Sequence, residues 1–213
     1  MSEKESAADV RSVPAPGGGY TLILPGAWFA FALGDEEDVK RRVTALVRKQ
    51  MGRADRLARQ RREVTEQVHE TARRAREAGC ASMYLALEIL PDVPFPAAIL
   101  GGDVAWPPTA TDRALGVEEA LRTGFPDAEV VAHRMGPAAR TIEFGTQEIG
   151  SQSTPTMRAQ FRIPYPDASR LLEFTISTPM MADPELWAAL FDQIVDSLTW
   201  AEPIAVLDDA PAV

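Results

Sequence analysis

The sequence predicts an α+β fold, in which an antiparallel β-sheet is flanked by helices and a long basic helical insertion follows the first hairpin. Two observations carry this prediction. Helical periodicity runs through residues 35–78, and six strand-like runs follow it before a final helix. The 213 residues are 46% hydrophobic and 25% charged, which is typical of a globular chain and excludes collagen-like or fully disordered classes.

The chain is predicted to form a single domain over residues 20–200 between two flexible tails. Residues 1–19 are polar, contain two prolines and end in three glycines, while residues 201–213 are acidic and also contain two prolines. Ordered structure is therefore expected to begin at Tyr20.

Targeting signals are not recognised in the sequence. The first six residues are charged and lack the apolar segment of a signal peptide, and the apolar runs are far shorter than the roughly 18 residues of a membrane helix. The single cysteine, Cys80, excludes an internal disulfide, and 19 Arg against 3 Lys is typical of a GC-rich genome. We expect a cytoplasmic bacterial protein without a membrane span.

The first ordered elements are predicted to be a β-hairpin and two helices. Tyr20–Pro25 and Gly26–Leu33 are short strands joined at a Pro-Gly turn, and the second is apolar on both faces, so we expect it to be covered on both sides. Asp35 suits the N-cap of a helix whose apolar face consists of Val39, Val43, Leu46 and Val47 and which ends at a break near Met51-Gly52. A second helix is predicted over Arg53–Ala78. Its narrow apolar stripe consists of Leu57, Val64, Val68 and Ala75.

A meander of antiparallel strands and a terminal helix make up the rest of the domain. The predicted strands are Ala81–Leu90, Ala97–Trp106, Ala128–Met135, Arg140–Gln147, Met157–Ile163 and Leu171–Thr178. A short helix is predicted over Asp112–Thr123. The terminal helix begins with Asp183 as N-cap and Pro184 at its first position. Gly101-Gly102-Asp103 interrupts a strand and is interpreted as a bulge or turn.

Short motifs near the two ends of the predicted domain resemble a known superfamily. The first strand ends at Pro25 and Trp28 follows it, while the terminal helix closes with the segment Phe191–Trp200, which reads FDQIVDSLTW. On these motifs the sequence resembles the Mog1/PsbP-like α/β/α sandwich proteins over residues 20–200. The insertion Arg53–Ala78 departs from the compact Mog1 pattern.

A second set of residues extends the resemblance to uncharacterised proteins of high-GC bacteria. These residues are Ser177-Thr178-Pro179 followed by the helical segment Phe191–Ile194. The resemblance implies an α/β/α sandwich and a non-catalytic role, such as a cytoplasmic adaptor or a chaperone. It does not imply a particular partner, because one fold serves many functions.

Positive charge is concentrated in the helical insertion. Between Lys40 and Arg76 there are 13 Lys and Arg against 4 Asp and Glu, so the local charge is +9 in a chain of formal net charge −9. This division favours a protein partner with an acidic surface, or self-association through opposite faces. An apolar segment of a partner protein is the alternative that the resemblance to chaperones implies. The stretch contains no aromatic residue, and the acidic remainder would repel phosphate, which argues against nucleic acid.

Six arginines are the candidates for partner binding, and the alternative is a solvated face with no partner. The candidates are Arg56, Arg59, Arg62, Arg73, Arg74 and, at the start of a strand, Arg140.

No catalytic constellation is recognised. Cys80 stands among small and apolar residues and is interpreted as buried. Glu66 and His69 have the spacing of a di-iron motif, but such a site needs two copies. His133 has no Gly-x-Ser-x-Gly nucleophile to act on, and the glycines at 17–19 lack the following Lys-Ser/Thr of a phosphate loop. We therefore predict neither an enzyme nor a cofactor or metal site.

Two functions from different classes remain open. The first is a non-catalytic protein-binding adaptor or secretion-type chaperone. The second is a small-molecule or lipid-binding module with an apolar pocket between sheet and helices. That pocket would be lined by Phe29, Phe31, Trp106 and Phe144. A deep apolar cavity would favour the second function, and an exposed basic or apolar face the first. Homodimerisation through the stripe of the second helix is compatible with either.

Overall fold

The structure, a computed structural model, describes residues 10–52, 54–90, 93–94, 97–111, 115–149, 152–179 and 183–201. The strands are β1 (Val10–Pro14), β2 (Tyr20–Pro25), β3 (Ala27–Ala32), β4 (Ser82–Leu90), β5 (Val93–Pro94), β6 (Ala98–Val104), β7 (Glu129–His133), β8 (Gly136–Ile149), β9 (Gln152–Pro164), β10 (Leu171–Pro179) and β11 (Thr199–Trp200). The helices are α1 (Glu36–Met51), α2 (Ala58–Glu77), α3 (Val117–Gly124) and α4 (Pro184–Asp196). None of these helices is long and apolar enough to cross a bilayer.

Eight strands form one large antiparallel sheet. The strand order is β3-β4-β6-β10-β9-β8-β7, and β5 pairs with β4 beside this path. β10 lies at the centre, where Phe174 is opposite Gly101 of β6 and Phe161 of β9. The strands β8 and β9 form a long hairpin that carries the sheet towards β7. The sheet is antiparallel as predicted, and β7, β8, β9 and β10 form a meander, but β6 pairs with β10 and not with β7, so the predicted single meander is interrupted after β6.

One face of the large sheet, which we call the inner face, is covered by α4 and a small sheet. The small sheet has the order β1-β2-β11. Leu22 and Leu24 of β2 and Phe191 of α4 are fully buried in a cluster with Tyr84 and Phe174 of the large sheet. This cluster is the main hydrophobic core.

The opposite, outer face is covered by α1, α2 and α3. Because neighbouring strand residues point to opposite sides, Met83 faces outward beside the inward Tyr84, and it packs with Val43 of α1 and Ala72 of α2. At the β7–β8 end, Leu121 of α3 packs against β8. The molecule thus has helices on both faces of an antiparallel sheet, and the predicted α+β class is confirmed.

The helix starts follow local signals in the sequence. The carboxylate of Asp35 accepts a hydrogen bond from the backbone N–H of Asp38, at 2.7 Å, and Asp183 accepts one from the N–H of Leu186. Both predicted N-caps are present. α2 begins at Ala58, after a short 3₁₀ turn over Asp55–Leu57.

The predicted first hairpin is wrong. β2 and β3 lie at the expected residues, but β2 pairs with β1 and β11, whereas β3 pairs with β4 at the edge of the large sheet. Gly26, at φ 77°, adopts the left-handed conformation that lets the chain turn from one sheet to the other. β3 is nevertheless covered on both sides, because Phe31 packs outward and Ala30 inward.

Ordered structure also begins earlier than the sequence predicts. Val10–Pro14, placed in the N-terminal tail by its composition, is strand β1 and pairs along its whole length with β2. Of the two predicted tails, residues 1–9 and 202–213 lie outside the described residues. They stay predictions, as does the single domain over 20–200.

Gly101 and Gly102 mark a close approach rather than the predicted bulge or turn. β6 runs through both glycines with regular pairing to β10. A Cβ atom on Gly102 would lie 2.9 Å from the carbonyl oxygen of Gly79 and 3.0 Å from the Cα of Cys80. The chain between α2 and β4 therefore packs directly on the backbone of β6, which a side chain would prevent.

Candidate functional site

The helices α1 and α2 form an antiparallel hairpin on the outer face. Arg76, near the end of α2, is ion-paired with Glu36 at the start of α1, with 2.7 Å between the charged atoms. The predicted candidates Arg59, Arg62, Arg73 and Arg74 all lie on α2, and Arg56 lies in the turn before it. Five of the six predicted residues therefore lie on α2 or in the turn directly before it.

Carboxylates of α2 already neutralise part of this arginine set. Arg73 is ion-paired with both Glu70, at 2.8 Å, and Glu77, at 2.6 Å, and Arg74 donates from Nε to Glu70 at 2.9 Å. Hydrogen bonds from Arg73, which has the larger effect, and from Arg74 lower the pKa of Glu70 to about 2. These arginines therefore have partners within their own helix, which fits the i,i+3 and i,i+4 spacing of the pairs.

Other cations of the hairpin have no such partner. Within the described residues of the hairpin, five exposed cations form no ion pair; they are Lys40, Arg48, Lys49, Arg56 and Arg62. Four of them lie around the turn of the hairpin, within residues 48–62, which we call the hairpin tip. Arg59 lies there too, but its Nε is 2.8 Å from Glu63. The hairpin tip is therefore the uncompensated part of the basic segment.

Arg48 and Lys49 were not among the candidates predicted from the sequence. Helical spacing carries the missing signal: Glu63 follows Arg59 by four residues, and Glu70 precedes Arg73 and Arg74 by three and four. No acidic residue stands three or four positions from Arg48. Counting charges along the helix locates the basic segment but not its unpaired members.

Arg140, the sixth candidate, lies away from the hairpin. Its side chain is on the inner face, 17% exposed, and it forms ion pairs with Asp192 of α4 and Glu129 of β7. These two pairs join α4 to the edge of the large sheet. Arg140 thus does not share a surface with the arginines of α2.

A histidine lies beside this ion cluster. The side chain of His133 is only 6% exposed, and its Nδ1 is 3.7 Å from Asp196 of α4. Burial lowers the pKa of His133, although the charges of Asp192 and Asp196 act in the opposite direction. Burial raises the pKa of Asp192, although the charge of Arg140 acts to lower it. In the described part of the chain, His133 Nε2 and Asp192 Oδ1 are buried without a hydrogen-bond partner. The cluster is therefore a polar contact that joins β7 and β8 to α4.

An apolar groove opens between the helical hairpin and the outer face of the sheet. Its volume is about 660 Å³. We call it the hairpin groove. The apolar residues that line it are Leu46, Val47 and Met51 of α1, Val64 and Val68 of α2, Met83, Leu85, Ala86 and Leu87 of β4, Ala97, Ala98 of β6 and Pro179 of β10.

The aromatic pocket predicted from the sequence is not formed. Phe31 is fully buried under the hairpin with Phe29 beside it, whereas Trp106 packs near α3 and Phe144 is 59% exposed on β8. The four rings belong to different parts of the molecule. A cavity does exist between sheet and helices, but its lining is aliphatic.

The candidate catalytic residues are not brought together. Cys80 is half-buried at the junction of α2 and β4, and burial, with a smaller influence from Glu173, raises the pKa of its thiol. His69 is on α2, on the outer face, far from the inner-face His133 in the sheet order. Among the described residues, no group of three or more His, Cys, Asp or Glu is placed to hold a metal ion.

These features define an α+β sandwich with a cationic helical hairpin and an aliphatic groove beneath it. No protein-family model matches the sequence, and the search of curated proteins finds no match. Among solved structures, the chain is similar to the Ran-binding protein Mog1p of Saccharomyces cerevisiae, with 10% identity, a TM-score of 0.44, and coverage of 91% of this chain and 96% of that chain. A mutant of Mog1 gives 10% identity, a TM-score of 0.42, and coverage of 90% and 95%.

Proposed function

We propose that the chain is a non-catalytic protein-binding adaptor that contacts an acidic surface of its partner through the hairpin tip. The observation that carries the proposal is the group of exposed, unpaired cations Arg48, Lys49, Arg56 and Arg62. An ion pair made within the helix satisfies its arginine locally. An unpaired cation instead keeps its full charge for a partner.

The charge distribution favours a partner that is guided by electrostatics. The chain carries a formal net charge of −9, yet the hairpin is positive, so the molecule presents opposite fields on different sides. Such fields steer association and fix orientation more than they add affinity. Exposed ion pairs contribute about 0.2–1 kcal/mol each, so several must act together. We therefore expect modest affinity and strong dependence on salt.

An adaptor role accounts for the hairpin better than nucleic-acid binding does. The segment between Lys40 and Arg76 has no aromatic side chain on which a base could stack. A cytoplasmic location in a bacterium is part of the proposal, and the single Cys80 agrees with a reducing compartment. A non-catalytic role agrees with the raised pKa of the Cys80 thiol, because the thiolate is the reactive form.

A peptide-display selection tests the proposal. Random peptides are selected on the wild-type protein, and their affinities are measured by fluorescence anisotropy at low and high salt. We expect selected peptides rich in Asp and Glu. The tip variant combines Arg48→Glu, Arg56→Glu and Arg62→Glu, and it should bind them about thirtyfold more weakly, which corresponds to about 2 kcal/mol for three reversed contacts.

The matched control reverses three arginines that have ion-pair partners and lie outside the hairpin tip. It combines Arg41→Glu, Arg73→Glu and Arg74→Glu, and therefore changes the net charge by the same amount. We expect it to retain most of the affinity. Equal losses in both variants would show that only the total charge matters. Selected peptides without acidic residues, or no selection at all, would contradict an acidic partner.

Self-association is the alternative that the same charge division allows. Light scattering of the wild-type protein and the tip variant distinguishes it, because a head-to-tail contact between the basic hairpin and the acidic remainder would be lost in the variant. A wild-type monomer that binds acidic peptides supports the adaptor role.

A further inference from the structure

The hairpin groove exists because only one half of α2 packs on the sheet. Ala72 and Ala75, in the C-terminal half, are 1% and 4% exposed, and their small side chains allow close packing. Val68 is half-buried, and Val64, one turn earlier, is 36% exposed. The exposure of the stripe therefore rises towards the N-terminal half of α2. That half forms one wall of the open groove.

The floor of the groove is made by residues that point outward from the large sheet. Met83, Leu85 and Leu87 alternate along β4, and Ala98 lies beside them on β6. The small side chain of Ala98 leaves space in the groove that a larger side chain would occupy. At about 660 Å³, the groove has the size of a small-ligand site, for which about 300–1,000 Å³ is usual.

Polar groups border this apolar surface, and among the described lining residues the charged ones lie on α2. Arg74, Glu70 and Thr71 of α2 line the groove together with Gln67. Arg74 uses its Nε to bind Glu70, at 2.9 Å, so its two terminal nitrogens keep their N–H donors. A planar pair of donors of this kind matches a carboxylate.

We propose that the hairpin groove binds a long-chain carboxylate, with its hydrocarbon chain on the floor formed by β4 and β6 and its head group on Arg74. Arg74 is the one cation among the described lining residues, and only its Nε binds Glu70, so its two terminal nitrogens are placed to receive an anionic head group. The aliphatic lining selects a flexible hydrocarbon chain, since no aromatic ring is present among the described lining residues. The head-group position at Arg74 is separate from the unpaired cations of the hairpin tip, although Met51 of the tip lines the groove.

A fluorescence titration with cis-parinaric acid tests the proposal, because the emission of this polyene carboxylate rises in apolar surroundings. The wild-type protein should bind it saturably with one equivalent. Ala98→Phe fills the groove from its floor and should weaken binding about tenfold or more, a loss of about 1.4 kcal/mol. Thermal unfolding of the same variant checks that the fold is retained.

Two arginines give a matched test of the head group. Arg74 and Arg59 each donate Nε to a glutamate of α2, at 2.9 and 2.8 Å, but only Arg74 lines the groove. Arg74→Ala should weaken binding of the acid about tenfold, and Arg59→Ala should leave it unchanged. Against the methyl ester of the same acid, Arg74→Ala should have little effect.

The outcomes separate the occupants. Saturable binding that Ala98→Phe abolishes and Arg74→Ala weakens supports the carboxylate site. Equal binding of acid and ester, unaffected by Arg74→Ala, overturns the head-group assignment. No binding of the fatty acid, with selection of apolar peptides that Ala98→Phe prevents, overturns the proposal in favour of a peptide segment. Binding that ignores Ala98→Phe places the ligand elsewhere and also overturns it.

Discussion

Gly101 occupies a position in β6 at which a side chain would collide with the core. A Cβ atom there would lie 2.7 Å from Ser82 Oγ, 3.0 Å from Phe174 Cε1 and 3.0 Å from the hydroxyl oxygen of Tyr20. All three side chains are buried, with exposures of 3%, 0% and 6%. None of them can move aside into solvent, so Gly101→Ala should destabilise the fold.

The magnitude follows from three contributions. Overpacking of a core usually costs about 1–3 kcal/mol. Displacement of Ser82 would also weaken its hydrogen bond with Tyr20, now 3.2 Å long, for about 1 kcal/mol more. In the opposite direction, alanine lowers the conformational entropy of the unfolded chain, which stabilises the folded state by about 0.4–1 kcal/mol. We expect a net loss of about 2 kcal/mol, which in a chain of this size lowers the Tm by about 4–8 °C.

Urea denaturation and calorimetry of Gly101→Ala measure this loss, and two further variants test its cause. Gly145→Ala is the control, because the nearest atom to its Cβ would be Thr156 Oγ1 at an ordinary 3.8 Å. It should be neutral or slightly stabilising. In a Ser82→Ala background, Gly101→Ala should cost about 1 kcal/mol less than in the wild type. A loss below about 0.5 kcal/mol for Gly101→Ala, or equal losses for Gly101→Ala and Gly145→Ala, would refute the steric argument.

Three further predictions concern the polar cluster and a strained turn. Burial lowers the pKa of His133 below its unfolded value, so on acidification the unfolded chain binds a proton before the folded chain does. The free energy of unfolding should therefore fall between about pH 7.5 and about pH 5.5. In urea titrations over this range, His133→Gln should reduce that dependence on pH. Arg140→Met should cost about 2–3 kcal/mol because Asp192 keeps a half-buried charge, and adding Asp192→Leu should recover most of the loss, as denaturation would show. Ala168 adopts φ 52°, so Ala168→Gly should stabilise by about 0.5–1 kcal/mol in calorimetry, and a loss would contradict the strain.

Elements with a clear local pattern could be predicted from the sequence. In β10, Leu172, Phe174 and Ile176 alternate with polar residues, and the structure buries all three on the inner face. The start of α4 at Pro184 follows from the Asp-Pro signal. Both features depend on neighbouring residues alone, so a single sequence contains the information that determines them.

The assignment of strands to sheets depends on residues that are distant in the sequence. The Pro25-Gly26 turn suggests that β2 and β3 pair with each other. However, β2 pairs with Val10–Pro14 at one end of the chain and with Thr199–Trp200 near the other. A turn signal reports a change of direction and cannot show which strand then lies alongside. The same limit applies to Gly101, whose small size is required by Ser82 and Tyr20 from other elements.

The candidate site shows the corresponding division between local and distant information. Charge counting identifies the basic hairpin, and helical spacing indicates that Arg48 is unpaired. It fails for Arg62, because Glu66 stands four residues later and yet does not pair with it in the structure. The groove requires the third dimension, because it depends on where the stripe of α2 leaves the sheet. Ala72 and Ala75 let one half of the helix approach closely, whereas Val64 remains 36% exposed in the other half. The unpaired cations and the open apolar groove therefore lie on the same end of the hairpin, where the sheet neither buries the stripe nor supplies carboxylates to the arginines.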